Sequence, residues 1–178
     1  MVGVFLVMAQ KPKREPHGAK EILIPLVAIF FYMAYSGLPQ FFPAFAVQNP
    51  IPTSFQFPVI IGAVTLVLGG LFLNIVSLYH LRRSFAVFVQ VKEIVFSGPY
   101  KYIRHPMYTS HILMAAGLVL SQFSIAILAV FLIHIGILSY RARLEEKALA
   151  SFDPKYGKYM KHTGFLVPLL QGSEPHHQ

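Results

Sequence analysis

Long apolar runs separated by short polar joints dominate this chain. They extend from Ile22 to Val47, Phe57 to Tyr79, Pro106 to Leu120 and Phe123 to Ser139. About 20 apolar residues suffice for a helix to cross the hydrocarbon core of a bilayer, so the pattern predicts four spans. Pro25 falls in the first turn of the first run, where a missing N–H matters little. Pro39 and Pro43 bend or end that helix near its far side. In the second run Gly62, Gly69 and Gly70 permit close helix contact. The joint at Ser121 and Gln122 is short enough to make the third and fourth helices antiparallel neighbours. The stretch from Ser84 to Arg104 contains the alternating segment FAVFVQVKEIVF. A lone strand has no pairing partner in a membrane, so an interfacial or membrane-reaching segment is expected there. The expected fold is therefore an all-α, polytopic transmembrane helical bundle of about four spans. A fifth arises if the apolar Met1–Ala9 stretch or this interfacial segment enters the bilayer.

The polar positions refine this scheme. The fourth helix is expected to continue into water as YRARLEEKALASF, where Leu138, Ala142, Glu145 and Leu149 recur at helical spacing. Arg141 and Glu145 form an i, i+4 pair, worth roughly 0.2–0.5 kcal/mol when exposed. Asp153, Pro154 and Gly157 are expected to break the helix. No charged residue lies between Ile22 and Tyr79 or in the Gln122 joint, so every Lys and Arg falls on the opposite side. Four spans then place both termini in the cytoplasm. The organisation expected is a cytoplasmic tail over 1–21, a transmembrane hairpin and connector over 22–90, a core over 91–168 and a disordered tail over 169–178.

Composition supports the same class. Of 178 residues 55% are hydrophobic and 12% are charged, and mean hydropathy is +0.57, whereas soluble domains carry about 25% charged residues. Fifteen basic against seven acidic residues give a formal charge of +8. These charges flank apolar runs, which points to anionic lipid headgroups and topology rather than to nucleic acid. Cysteine is absent, which excludes disulfides, thiolate metal sites and a Cys nucleophile. The histidines show no metal-ligand spacing, and no metal is expected. No basic region precedes the apolar Met1–Ala9 stretch, so it is not expected to act as a cleavable signal.

Two blocks carry candidate chemistry. In SGPYKYIRHPMYTSH, from Ser97 to His111, Gly98 and Pro99 mark a turn. Pro106 suits the first position of a helix, which puts Arg104 and His105 beside an electropositive helix end able to receive an anionic group. Arg and Tyr also anchor helix ends at headgroups, and the residues alone leave both readings open. In RARLEEKALASFDPKYGKYMKH the adjacent Glu145 and Glu146 point in different directions, so one can meet a cation while the other faces solvent or Arg141. A solvated helix extension explains them equally well. His134, inside the fourth span, is expected to pack or hydrogen-bond against other helices.

Taken together, the two blocks resemble the membrane methyltransferases of the isoprenylcysteine carboxyl methyltransferase and phospholipid N-methyltransferase superfamily. The matching positions are Gly98, Pro99, Tyr100, Tyr102, Arg104, His105, Pro106 and Tyr108, then Arg141, Arg143, Glu145, Glu146 and Leu149, then Phe152, Tyr156 and Tyr159. The likeness covers about Val91 to Pro168. It departs at Ser110, where relatives have Gly, and at Lys161-His162, where relatives carry an Arg that Lys does not replace equivalently. The resemblance implies the membrane methyltransferase fold and an S-adenosyl-L-methionine cofactor entering from the cytoplasm. It implies cofactor contacts from Tyr100, Tyr102, His105, Pro106, Tyr108, Glu145, Glu146, Tyr156 and Tyr159, with catalytic roles for Arg104, His105 and Glu145. Arg104, or Lys161 and His162, would hold an acceptor oxyanion. The implied partner is a hydrophobic or lipid methyl acceptor arriving laterally from the bilayer. Its methylated atom is a carboxylate, amine or hydroxyl. The implied location is a bacterial plasma membrane or a eukaryotic endoplasmic reticulum.

Three other classes compete. A nicotinamide-dependent reductase of the sterol-reductase type has a distantly similar core but more spans. A non-catalytic scaffold would be expected to lack the glutamates or the Arg-His-Pro element, and both are present. A transporter needs more polar groups in the interior than four short spans supply.

Overall fold

The computed structural model describes residues 52–81 and 94–169, together with positions 31, 35, 37, 38 and 40–43. The Met1–Ala9 stretch, most of the first apolar run, positions 82–93 and the C-terminal tail lie outside the described residues. Those described form an all-α structure with four helices: α1 (Thr53–Leu81), α2 (Pro106–Ser121), α3 (Ile125–Phe152) and α4 (Lys155–His162). A 3-10 turn, Gly98–Lys101, precedes α2.

Helices α1 and α3 are long and apolar enough to cross a membrane. Only 11% of the most apolar window of α1 is buried within the protein. Its outer face exposes Phe57, Ile60, Ile61, Val64, Leu68 and Phe72, a surface that suits lipid and not water. These two helices support an integral membrane protein with a small helical bundle. The third apolar run becomes α2, whose 16 residues rise about 24 Å, less than the roughly 30 Å hydrocarbon core.

The α1–α2 contact is antiparallel and tight because small residues line it. A Cβ on Gly117 would lie 2.6 Å from the Ala63 carbonyl oxygen. One on Gly70 would lie 2.8 Å from Met114 Cγ and from the Ser110 carbonyl oxygen. Of the three glycines expected to permit close approach, Gly70 does so against α2, while Gly62 and Gly69 face no described atom within 4 Å. Lower on the same face Asn74 Nδ2 donates to Ser110 Oγ at 2.9 Å, while the Ser110 hydroxyl donates to the Met107 carbonyl at 2.6 Å. Ser110 is fully buried. The Ser110 hydroxyl thus takes part in an interhelical hydrogen bond.

Helices α2 and α3 are antiparallel, as the short joint predicts. Ala115 and Val119 near the end of α2 pack with Ile127 near the start of α3, while Tyr108 at the start of α2 packs with Leu138 and Ala142. Ser124 caps α3 by accepting from the Ile127 N–H at 3.1 Å. His134 is buried in α3, its Nδ1 3.1 Å from the Tyr35 hydroxyl and its ring stacked on Phe31 at 5.0 Å, the packing role expected of it. Helix α3 runs unbroken to Phe152, so the continuation past Ser139 is present. The break falls at Asp153, which is extended (φ −134°, ψ 114°), and at Pro154, the cap residue of α4. Gly157 does not break the chain as expected. It lies within α4, where burial of Tyr156 beside it outweighs the weak helix propensity of glycine.

Candidate active site

The Arg-His-Pro element at the start of α2, the Glu-Glu element toward the end of α3, helix α4 and the last turn of α1 meet at one end of the bundle. The entry loop is set by Gly98, whose φ of 60° is strained for a residue with a side chain. A Cβ there would also collide with the His80 ring at the end of α1. His80 Nδ1 lies 3.3 Å from Ser97 Oγ. The last turn of α1 thereby seats the 3-10 turn and aims the chain at α2. His105 is the residue before α2, and Pro106 is its first position, as the spacing predicts.

The closing segment docks on that loop by a short parallel pairing of Ile103 with Gly164. The Gly164 N–H donates to the Tyr102 carbonyl at 3.0 Å, the Arg104 N–H to the Gly164 carbonyl at 2.8 Å, and the His105 N–H to the Phe165 carbonyl at 3.2 Å. Thr109 Oγ1 adds a bond to the Leu166 carbonyl at 2.6 Å. Residues 163–166 therefore form a wall of the site. Sequence reasoning missed them because no composition or period marks such a pairing; the nearness of the Tyr156–Tyr159 element was the one signal available.

Arg104 is the hub of this wall. Its Nε donates to Glu146 Oε1 at 2.5 Å, and its Nη1 donates to the Met160 carbonyl at 2.8 Å and to the Thr163 carbonyl. Its guanidinium lies over the Phe165 ring, 5.6 Å from the centroid. Two nitrogens of the guanidinium thus fasten α3 to the end of α4, where carbonyls lack helical partners.

Beside it His105, 7% exposed, lies between the two glutamates. Its Nε2 is 3.3 Å from Glu146 Oε1 and its Nδ1 is 4.0 Å from Glu145 Oε2. The imidazole stacks on Tyr108 at 5.4 Å and meets Phe165 edge-on at 5.3 Å. Glu145 accepts from the Tyr108 hydroxyl at 2.5 Å and from Arg141 Nε at 3.2 Å, so the predicted i, i+4 pair is formed. Arg141 also sits over the Tyr108 ring at 5.3 Å. Each carboxylate consequently has one arginine, and the histidine joins the two pairs.

Helix α4 covers the cluster with Tyr156 and Tyr159, whose rings are 5.4 Å apart. The Tyr159 hydroxyl donates to the Tyr100 carbonyl at 2.5 Å. Burial raises the phenol pKa of Tyr100 and Tyr156 well above the usual value and pushes that of Tyr159 up to about 12. These phenols stay neutral across the physiological range, as donors and apolar walls and not as bases.

Of the residues singled out from sequence, Tyr100, Arg104, His105, Pro106, Tyr108, Glu145, Glu146, Tyr156 and Tyr159 are gathered here. Tyr102 is 57% exposed and supplies its carbonyl. Lys161 and His162 are exposed on the outer side of α4. Among the described residues no group of three or more His, Asp or Glu side chains gathers so as to hold a metal ion.

Carboxylates beside buried aromatic faces form a site suited to a cationic ligand. The chain is 35% identical over 79 residues to the cobalt-zinc-cadmium resistance protein CzcN of Cupriavidus metallidurans, a match covering 43% of this chain. The matched region spans 36% of that relative, so this chain corresponds to about a third of its length. The family model for phospholipid methyltransferases matches residues 58–157, more than half of the chain, from α1 through the Arg-His-Pro and Glu-Glu elements into α4. The chain belongs to the phospholipid methyltransferase family.

Proposed function

We propose that the protein is an integral membrane methyltransferase that moves a methyl group from S-adenosyl-L-methionine to a lipidic or small hydrophobic acceptor. The observation that carries this reading is the paired arrangement Arg104–Glu146 and Arg141–Glu145 joined by His105, built within the segment that the family model matches. A methyl sulfonium is already activated, so the protein needs to position the acceptor in line and exclude water. Glu145 and Glu146 face the positive groups of the cofactor. Tyr108 and Arg141 fix Glu145, and Arg104 and His105 fix Glu146. Tyr100, Tyr156 and Tyr159 close the site against water.

Arg104 acts in this reading as a positioning residue, because Glu146 and two carbonyls engage its guanidinium. For an amine or hydroxyl acceptor that gives up a proton, His105 or a glutamate is the candidate to take it. The apolar outer faces of α1 and α3 favour an acceptor that arrives from the bilayer. The concentration of Lys and Arg at the site end favours a cytoplasmic orientation.

The test is transfer of a radiolabelled methyl group from adenosylmethionine into lipid by the purified protein in nanodiscs made from a bacterial lipid extract. Label entering the organic phase with wild type and not with Glu145→Gln or His105→Ala supports the proposal. Turnover that requires a nicotinamide cofactor in place of adenosylmethionine would sink it.

A further inference from the structure

The site explains the inner face of α4 but not its outer one. On KYGKYMKH, Lys155, Lys158 and Lys161 recur every third residue, and all three are exposed. The inner face carries Tyr156, Tyr159 and Met160. No acidic residue lies within this helix. The nearest in sequence, Asp153, accepts the Lys155 backbone N–H at 2.8 Å through one oxygen. Large apolar side chains flank the lysine row in sequence on both sides: Phe152 is 45% exposed before it, Val167 69% and Leu169 47% after it.

A row of ammonium groups bounded by exposed apolar side chains matches the interface of an anionic leaflet, where phosphates meet acyl chains. Soluble phosphate would use the lysines and leave the apolar residues in water. Helix α4 begins directly after α3 leaves the bundle, and α3 is one of the membrane-length helices, so its place near a leaflet surface follows from chain connectivity.

We propose that the outer face of α4 is a docking surface for anionic phospholipid headgroups, and that this contact keeps α4 seated over the site. On the inner side α4 is held by Tyr159 against the Tyr100 carbonyl and the Phe96 ring, by buried Tyr156, and by Arg104 on the Met160 and Thr163 carbonyls. The residues after it pair with the loop before α2. Among the described residues no such attachment holds the side chains of Lys155, Lys158 and Lys161, and the outer face is the side left for lipid. Binding on the outer side stabilises the seated position by whatever affinity it adds to that state alone. Each basic residue near an anionic surface contributes about fivefold in association, so three act strongly together. The proposal rests on the membrane setting and not on methyl transfer.

Two measurements test it on the full chain. Native mass spectrometry counts phosphatidylglycerol and phosphatidylcholine retained by wild type, by Lys155→Gln/Lys158→Gln/Lys161→Gln, and by Arg143→Gln/Lys147→Gln as a charge control. Hydrogen exchange of residues 155–162 is followed in nanodiscs of pure phosphatidylcholine and in discs containing phosphatidylglycerol. The expected result is preferential retention of phosphatidylglycerol by wild type and the control, at least tenfold less retention by the triple variant, and α4 exchange slowed severalfold by phosphatidylglycerol only when the lysines are present. Equal retention by wild type and triple variant overturns the docking surface. Exchange of α4 that ignores lipid charge overturns the seating role. Neither readout depends on turnover, so failure of the methyltransferase reading leaves both interpretable.

Discussion

Arg104 Nε stands 2.5 Å from Glu146 Oε1 across 42 positions of chain, and the same guanidinium holds carbonyls at the end of α4. One side chain thereby fixes a carboxylate of the site and the wall beside it. Truncating one partner of a fully buried ion pair costs about 3–5 kcal/mol. This pair is partly buried, so Arg104→Ala should cost less than that and still lower the thermal midpoint in detergent by several degrees. Arg104→Lys keeps the charge but not the fork that reaches both α3 and α4. It should recover less than half of the loss. Full recovery by lysine, read by differential scanning fluorimetry, would show that charge alone matters there.

Tyr108 acts on Glu145 through a single hydroxyl, at 2.5 Å. Hydrogen bonds to charged groups contribute about 1.5–3 kcal/mol. Tyr108→Phe keeps the ring that stacks on His105 and lets the carboxylate turn. Adenosylmethionine binding should weaken roughly tenfold or more, with little change in folding. Unchanged affinity would mean that Arg141 suffices to hold Glu145.

The α1–α2 seam should tolerate no growth at Gly117. A methyl group there lies 2.6 Å from the Ala63 carbonyl oxygen and from Val67 Cγ2. Overpacking of this kind costs about 1–3 kcal/mol, so Gly117→Ala should reduce stability measurably, whereas Gly62→Ala should not. Asn74→Ala should be intermediate, since interhelical polar pairs in membranes contribute only about 0.6 kcal/mol on average. Chemical unfolding in mixed micelles ranks the three variants, and a Gly62 variant as damaged as the Gly117 variant would contradict the seam.

Alkaline pH should unseat α4. Burial raises the Tyr159 phenol to about 12 and lifts Tyr100 and Tyr156 as well. A phenol whose folded pKa is raised contributes stability that is complete below its unfolded value, near 10. That contribution is lost as pH climbs through the folded value. Ultraviolet titration at phenolate wavelengths should therefore show wild type ionising fewer tyrosines than its unfolded state between about pH 10 and 12. The deficit should shrink in Tyr159→Phe. Equal ionisation of folded and unfolded protein would contradict burial of the phenols.

The legible parts of this chain were those with a local period. Apolar runs marked α1, α2 and α3, the short joint marked the antiparallel turn, and i, i+4 spacing marked Arg141 with Glu145. The long-range pairings left no such trace. Nothing in the spacing of Arg104 and Glu146 states that they meet; their association came from resemblance. Asn74 reads as one polar residue in a span until Ser110 lies opposite it. His80 reads as a helix end until Gly98 rests on its ring. Gly157 misled because propensity is a weak prior and the burial of Tyr156 prevailed. Lys161 reads from sequence as a candidate acceptor ligand, whereas its exposed position in the row with Lys155 and Lys158 emerges only once α4 is known to be a helix.

The proposed function turns on His105, Glu145 and Glu146 as the cofactor site. Isothermal calorimetry of adenosylmethionine with wild type, His105→Ala and Glu145→Gln in nanodiscs tests it most directly, with the stability of each variant confirmed in the same discs. The account predicts saturable binding by wild type and at least tenfold weaker binding by both variants. Well-folded wild type that takes up no adenosylmethionine, or variants that bind it as wild type does, would contradict it.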